Sequence, residues 1–403
     1  MPQNPLPQAL SLGVHTYKLP GPQKELLLTA KLVLNSAGVL KFPQVVPQQK
    51  IRVNRRTLLA ALAQLKTIAS VNLLRDSIID LRLQLLDPDG GLLSLAGSFE
   101  PSEELSLDYL MEELEQIAGA FTLERARYYI SRLEKGLTKV KTGLINDINL
   151  NRWKEYRDLN TDSLWIVDRR DNSGVHTAQY WGNFVPQIPS QLMQRYTKQG
   201  DWVLDTFSGM GTTLIESQRL GRNGLGIELQ ASTAESSIRL IQSEPDLHSV
   251  TNRVIVGDSA HLDYPKMLQE AGAKSVQLLI MHPPYFDIIK FSDDAADLSN
   301  APSLEAFLEM IGRVVDGAGA VLDKGRYLAL VIGDKFCKGE WIPLGFMTMN
   351  EVQKKGFQLK SIIVKNFEHT AGKRNQQELW KYRALMGGFY IFKHEYIFLF
   401  KKI

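Results

Sequence analysis

Five short apolar runs divide the second half of the chain: residues 202–204, 224–228 (GLGIE), 254–257, 276–281 (VQLLIM) and 326–333 (RYLALVIG). Strands buried on both faces read in this way, as near-continuous apolar stretches. Segments of helical period lie between them at residues 214–220, 231–243 and 304–322, and another follows at 344–354. Strands alternating with helices predict an α/β protein with a doubly wound parallel sheet. Residues 359–365 and 395–401 (EYIFLFK) alternate apolar and polar positions and predict a closing antiparallel pair.

The first half is patterned differently. Residues 25–35 and 78–86 alternate like strands, and residues 57–68 and 103–117 look helical, the second opening on Ser102 as a cap. A Pro- and Gln-rich arm over residues 1–22 therefore leads into a smaller α+β module over 23–120. Residues 121–160 carry nine Arg and Lys side chains interleaved with Tyr128, Tyr129, Trp153 and Tyr156, and read as a basic helical connector. Such a run either follows a phosphate backbone or forms the solvated face of a helix. Residues 191–197 predict a short helix, while Pro186 and Pro189 argue for an extended approach before it.

The chemistry gathers at the ends of the apolar runs. Residues 201–213 (DWVLDTFSGMGTT) are a strand ending on Asp205, a turn with Gly209 and Gly211, and a helix opening at Thr212. This arrangement holds nucleotide-like ligands at the carboxyl edge of a sheet, because glycine lets the backbone approach closely. Glu228 ends the next strand, where an acid accepts hydrogen bonds from ribose hydroxyls. Asp258 and Ser259 end the third and suit an adenine. The fourth run leads directly into His282-Pro283-Pro284-Tyr285. Two prolines fix the backbone and leave carbonyls outside any ladder, and an aromatic ring beside them suits the face of a planar base. Downstream, residues 287–300, with Lys290, Asp293, Asp294 and Asp297, have the makings of a lid. A long stretch over 366–394 holds His369, Lys373, Arg374, Trp380, Lys381 and Arg383, and is read as a second nucleic-acid contact surface.

Composition narrows the class. A chain of 403 residues with 44% hydrophobic and 23% charged positions has ample material for a core, and its net charge of +3 neither requires nor excludes nucleic acid. Cys337 is the only cysteine, so no disulfide forms within the chain and no thiolate metal site is expected. No signal peptide or apolar run of membrane-spanning length stands out, and a cytoplasmic, membrane-free protein is expected.

DTFSGMGTT, GLGIE, HPPY, the segment HTAQYWGNFVPQIPSQLMQRYT and the closing KHEYIFLFKK occur in one coherent order. Over residues 161–402 the chain resembles the S-adenosylmethionine-dependent DNA amino-methyltransferases, which modify adenine N6 or cytosine N4. The resemblance implies a Rossmann-like sheet of seven strands, mostly parallel with the last antiparallel, over 161–403. It implies S-adenosylmethionine as cofactor, held or shaped by Asp205, Phe207, Gly209, Gly211, Thr212, Glu228 and Asp258. It places the target base at His282, Pro283, Pro284 and Tyr285. Lys290, Lys373, Arg374 and Arg383 are read, from their charge in the lid and the long stretch, as contacts to double-stranded DNA. A cognate restriction endonuclease is a possible partner.

One position departs from the family pattern. Asp, Asn or Ser usually stands where this chain has His282. A neutral imidazole accepts one amino hydrogen bond as those oxygens do, whereas a protonated one would repel the charge growing on the amine. Activity is therefore expected to fall as His282 protonates, and a profile flat from about pH 6 to 8 would count against the role. Two other readings stand beside this one: an RNA base amino-methyltransferase, and a non-catalytic nucleic-acid-binding protein that keeps the fold.

Overall fold

The computed structural model describes residues 50–86, 102–177, 182–337, 339–367 and 377–403. The arm at 1–22, the strand expected at 25–35, and His369, Lys373 and Arg374 lie outside them. Among the described residues, no helix is long and apolar enough to cross a membrane.

A helical module comes first. Strand β1 (Lys50–Asn54) leads into α1 (Arg55–Thr67) and α2 (Val71–Leu86); β2 (Ser102–Ser106) pairs antiparallel with β1 and leads into α3 (Leu107–Ala118) and α4 (Leu123–Thr138). Two expectations are corrected here. Residues 78–86 belong to α2, because Leu74, Ile78, Leu81 and Leu85, three or four apart, are its buried stripe. The cap before the next helix is Ser106, whose hydroxyl accepts the Tyr109 N–H, and Ser102 begins a strand instead.

The basic helix α4 buries Ala126, Ile130, Leu133 and Leu137 in the same core as α1, α2 and α3. Many cations of this region serve the module itself. Arg132 and Lys154 both pair with the buried Glu113, Arg157 pairs with Glu112, and Arg127 donates to the carbonyls of Lys66 and Ile68. The 121–160 run is in this respect a bracing surface.

The remaining elements build one large sheet. They are β3 (Leu164–Trp165), α5 (Gln187–Tyr196), β4 (Trp202–Asp205), α6 (Thr212–Leu220), β5 (Asn223–Glu228), α7 (Ala231–Ser243), β6 (Asn252–Val256), α8 (Tyr264–Ala271), β7 (Val276–Met281), α9 (Leu304–Val321), β8 (Leu322–Ile332), β9 (Lys335–Cys337), β10 (Glu340–Ile342), α10 (Leu344–Lys354), β11 (Phe357–Asn366), α11 (Gln377–Gly387) and β12 (His394–Lys402). The helix α5 starts earlier than expected. Pro186 sits at its cap and Pro189 in its first turn, where no intrahelical N–H is needed.

The strand order is β3-β11-β12-β8-β7-β4-β5-β6, with β12 antiparallel to both neighbours and the other pairings parallel. This is the expected doubly wound sheet with an antiparallel last strand. The two-residue β3 adds an eighth strand at one edge, and β9 and β10 form a small separate hairpin. Alternation along the strands sends Leu204, Leu279, Met281, Leu328, Leu330, Phe398 and Phe400 to one face with Phe307, Ile311 and Val315 of α9. Val203, Leu278, Ile280, Ala329, Val331, Ile397 and Leu399 go to the other with Ile188, Leu192 and Met193 of α5.

After β4 the chain moves to β5 and β6 on one side, then returns to β7 on the other. The order reverses at β4, and a crevice at the carboxyl ends of such strands is where doubly wound sheets bind ligands. The turn that follows β4 depends on Gly211, whose φ is +79° at the cap of α6. A Cβ there would also collide with Ser237 Oγ of α7. Gly211→Ala should lower unfolding stability by about 2 kcal/mol or more in a urea titration. A loss below about 0.5 kcal/mol would show that turn and helix yield easily.

Candidate active site

Four consecutive parallel strands deliver their carboxyl ends to one cavity of about 1380 Å³, lined among others by Phe207, Gly209, Glu228, Asp258, His282, Pro283, Pro284 and Tyr285. Sites for a single small ligand run to about 300–1,000 Å³, so this one has room for a cofactor and a base together.

The wall at the ends of β5 and β6 is built on backbone bonds. Glu228 is buried, and each carboxylate oxygen accepts one N–H: Oε2 from Gly209 at 3.0 Å and Oε1 from Gln230 at 2.9 Å. Each oxygen keeps a further lone pair for a ligand hydroxyl. Burial raises the Glu228 pKa above the usual carboxylate value, although hydrogen bonds from the Gln230, Gly209 and Leu229 N–H groups oppose the shift. Asp258 Oδ1 accepts the Ala260 N–H at 2.8 Å, and Oδ2 meets His261 Nδ1 at 2.6 Å.

Asp205, Gly211 and Thr212 stand behind the cavity wall rather than on it. Asp205 is fully buried and accepts from the Phe207 N–H and the Thr213 hydroxyl, so it braces the turn. Desolvation pushes its pKa up to about 6. Thr212 donates its hydroxyl to Asn183 Oδ1 at 2.7 Å and ties α6 to the segment before α5.

Sequence reasoning missed Arg170. Its guanidinium lines the cavity and donates to the carbonyls of Phe184 and Thr177, while Nε is buried with no partner. The adjacent pair Arg169-Arg170 was the only signal available. The side-chain hydroxyls of Thr206 and Ser208 on the same wall are likewise buried without partners. A carboxylate, a ribose and an adenine, the parts of S-adenosylmethionine, match a cationic donor, a carboxylate with free lone pairs and a polar strand end. The residues present fit this cofactor.

The wall at the end of β7 is organised around Tyr285. Its hydroxyl donates to Glu395 Oε2 at 2.9 Å and lies 3.1 Å from His282 Nε2. Glu395 Oε1 in turn takes the buried Lys365 ammonium at 2.9 Å. Phe184 meets the His282 ring edge-on, with centroids 4.8 Å apart. Burial above all drives the His282 pKa down to about 4; Lys365 lowers it further and Glu395 opposes. Phe286, the next residue, has partners of its own. Its φ of 52° is left-handed, and its ring packs on Phe307 with Lys335 Nζ over it at 4.7 Å.

The Tyr285 ring lies against Gly333, where a Cβ would fall 2.9 Å from Tyr285 Cε2. Gly333→Ala should displace the ring and cut turnover about tenfold or more, leaving cofactor affinity unchanged. Equal turnover in a steady-state assay would show that the ring position is not critical.

The 287–300 segment forms a wall of the cavity through Ile288, Ile289, Phe291 and Asp297. Asp297 is buried and holds the segment by accepting from the Ser292 hydroxyl and the Ser299 N–H. Lys290 points outward and pairs with Asp293 at 2.6 Å. Arg383 is exposed on α11, with its guanidinium 5.3 Å from the Trp380 ring centroid, and Trp380 lines the cavity.

Residues 125–239 match a family model described as DNA methylase. The resemblance to the DNA amino-methyltransferase family holds. The chain is 38% identical over 73 residues to the type II methyltransferase M.MjaII of Methanocaldococcus jannaschii, covering 18% of this chain and 13% of that protein. It is 31% identical over 100 residues to the type II methyltransferase M2.DpnII of Streptococcus pneumoniae, covering 24% of this chain and 34% of that protein. The match thus spans about a third or less of each relative's length. Among solved structures, TrmN from Thermus thermophilus aligns over 56% of this chain and 51% of that one, at 16% identity and a TM-score of 0.36.

Proposed function

We propose that this chain methylates the exocyclic amino group of a base in double-stranded DNA, adenine N6 or cytosine N4, within a specific sequence. The observation that supports this best is the joining of two half-sites in one cavity: Glu228 and Asp258 on one side, His282-Pro283-Pro284-Tyr285 on the other. S-adenosylmethionine, when bound, supplies a methyl group already activated on a sulfonium. The chain then has mainly to position the amine.

Glu228 holds the ribose, and Arg170 is the cation for the methionyl carboxylate. The target base leaves the helix to reach the cavity, at a cost of a few kcal/mol for unstacking. Tyr285 bears on its face, while His282 and the Pro283 carbonyl accept the amino hydrogens and turn the nitrogen lone pair toward the methyl. With the cofactor bound, the nitrogen–carbon bond would form as the carbon–sulfur bond breaks, and the amine's proton would pass to water. An imidazole with a pKa of about 4 is too weak a base to retain it.

Incubating the purified chain with labelled cofactor and either duplex DNA or total RNA tests this reading. Incorporation into duplex DNA, with modified bases mapped by single-molecule sequencing, is expected. Incorporation into RNA alone would replace the substrate class. No incorporation into either, despite tight cofactor binding, would leave a binding protein.

A further inference from the structure

The departure at His282 raises a question that an oxygen acceptor would not: which ring nitrogen carries the proton. The hydrogen bonds around it answer. Lys365 and Glu395 face each other on adjacent strands β11 and β12 and form a buried ion pair. The Tyr285 hydroxyl has one proton and donates it to Glu395 Oε2. What that hydroxyl offers His282 Nε2, 3.1 Å away, is therefore a lone pair. A neutral imidazole answers a lone pair only with an N–H.

We propose that Glu395 is a positioning residue which, acting through the Tyr285 hydroxyl, holds His282 in its Nε2–H form, so that Nδ1 is the lone pair presented to the target amine. The other tautomer would set two lone pairs against each other at 3.1 Å and would point an N–H donor at an amine that is itself a donor. Glu395 thus does for a histidine what an aspartate or serine oxygen at that position would not need. Lys365 fixes the carboxylate in turn, leaving Oε2 as the oxygen available to the tyrosine.

This rests on the reading of His282 as the amine acceptor, so the experiment has two arms. In the first, the full chain carries 15N-labelled histidine, and long-range 1H–15N correlation reports the tautomer of each of its seven histidines, with His282 assigned from its loss in His282→Asn. His282 should be in the Nε2–H form in the unmodified protein and should become a mixture in Tyr285→Phe and in Glu395→Gln. This arm needs no activity. In the second, Glu395→Gln and Tyr285→Phe should each lower kcat roughly a hundredfold, with cofactor KM held. The same changes made in His282→Asn, which has no tautomer to set, should cost less than about threefold.

Tyr285→Phe keeps the Lys365–Glu395 pair and so separates tautomer control from loss of folding. An Nδ1–H form in the unmodified protein would overturn the proposal. So would equal losses in the two backgrounds, or an unchanged tautomer in both variants. Failure of methylation on every substrate, with the tautomer as stated, would refute the activity while leaving the relay in place.

Discussion

At saturating cofactor, the His282 contribution to methyl transfer should stay level from about pH 8 to about pH 6 and fall as the pH approaches 4, where His282 takes up its proton. The sequence alone placed the fall near the ordinary histidine value, and burial in the cavity moves it. The sign is fixed by the neutral form being the acceptor. Imidazolium at this position has no lone pair for the amine and repels the charge that develops there. The stability linkage runs the same way. The folded pKa lies below the unfolded value of about 6.5, so the unfolded chain binds more protons between those two values, and stability falls as the pH drops through that window. Short assays followed by return to neutral pH separate reversible protonation from unfolding. His282→Ala should lower turnover by about 10²–10³, as removal of one well-placed polar group in an active site does, with the cofactor dissociation constant within twofold. A fully active alanine variant would remove His282 from the reaction, and a fall centred near pH 6.5 would show that burial does not depress its pKa.

Replacing Glu228 with Gln should weaken cofactor binding by roughly ten- to a hundredfold, equivalent to about 1.5–3 kcal/mol for hydrogen bonds to a charged group. The effect has two sources. On the proposed reading the carboxylate accepts ribose hydroxyls, and its two oxygens also receive the Gly209 and Gln230 N–H groups. Glutamine has only one acceptor oxygen, so one of those backbone donors would face an NH₂ group. Calorimetric titration with the demethylated product measures the loss without turnover. The same titration should weaken on acidification at a higher pH than an ordinary glutamate would give, because burial raises the Glu228 pKa. Unchanged affinity would place the ribose elsewhere in the cavity.

The glycine turn and the acids at the strand ends could be located in the sequence because their signals are local. A strand, a glycine turn and an acid at the next strand end are consecutive in the chain, and each has a physical reason to be where it is. The strands β4, β5 and β7 were legible for the same reason, as unbroken apolar runs. Residues 78–86 were not, because ILE and LEU pairs satisfy both periods in so short a window. Only the extension back to Leu74 shows the helical stripe. Glu395 and Lys365 were read only as strand residues. Their meaning comes from antiparallel pairing across 30 positions and from a tyrosine 110 positions away, neither of which leaves a local mark. Arg170 was passed over because the pair Arg169-Arg170 lies in a polar stretch with no periodicity to stand out from.

The antiparallel placement of β12 has a consequence in time. Parallel strands bring their last residues to the ligand edge, whereas β12 brings its first, and so Glu395 arrives beside a tyrosine made long before it. During synthesis, the turn after β4 and its partner acid emerge early and lie close together in the chain. The base-facing half must wait for β12 to slide between β8 and β11. A nascent or truncated chain that stops before Glu395 would then hold the cofactor-binding elements without the carboxylate that completes the tyrosine relay, and order of emergence would separate holding the methyl donor from using it.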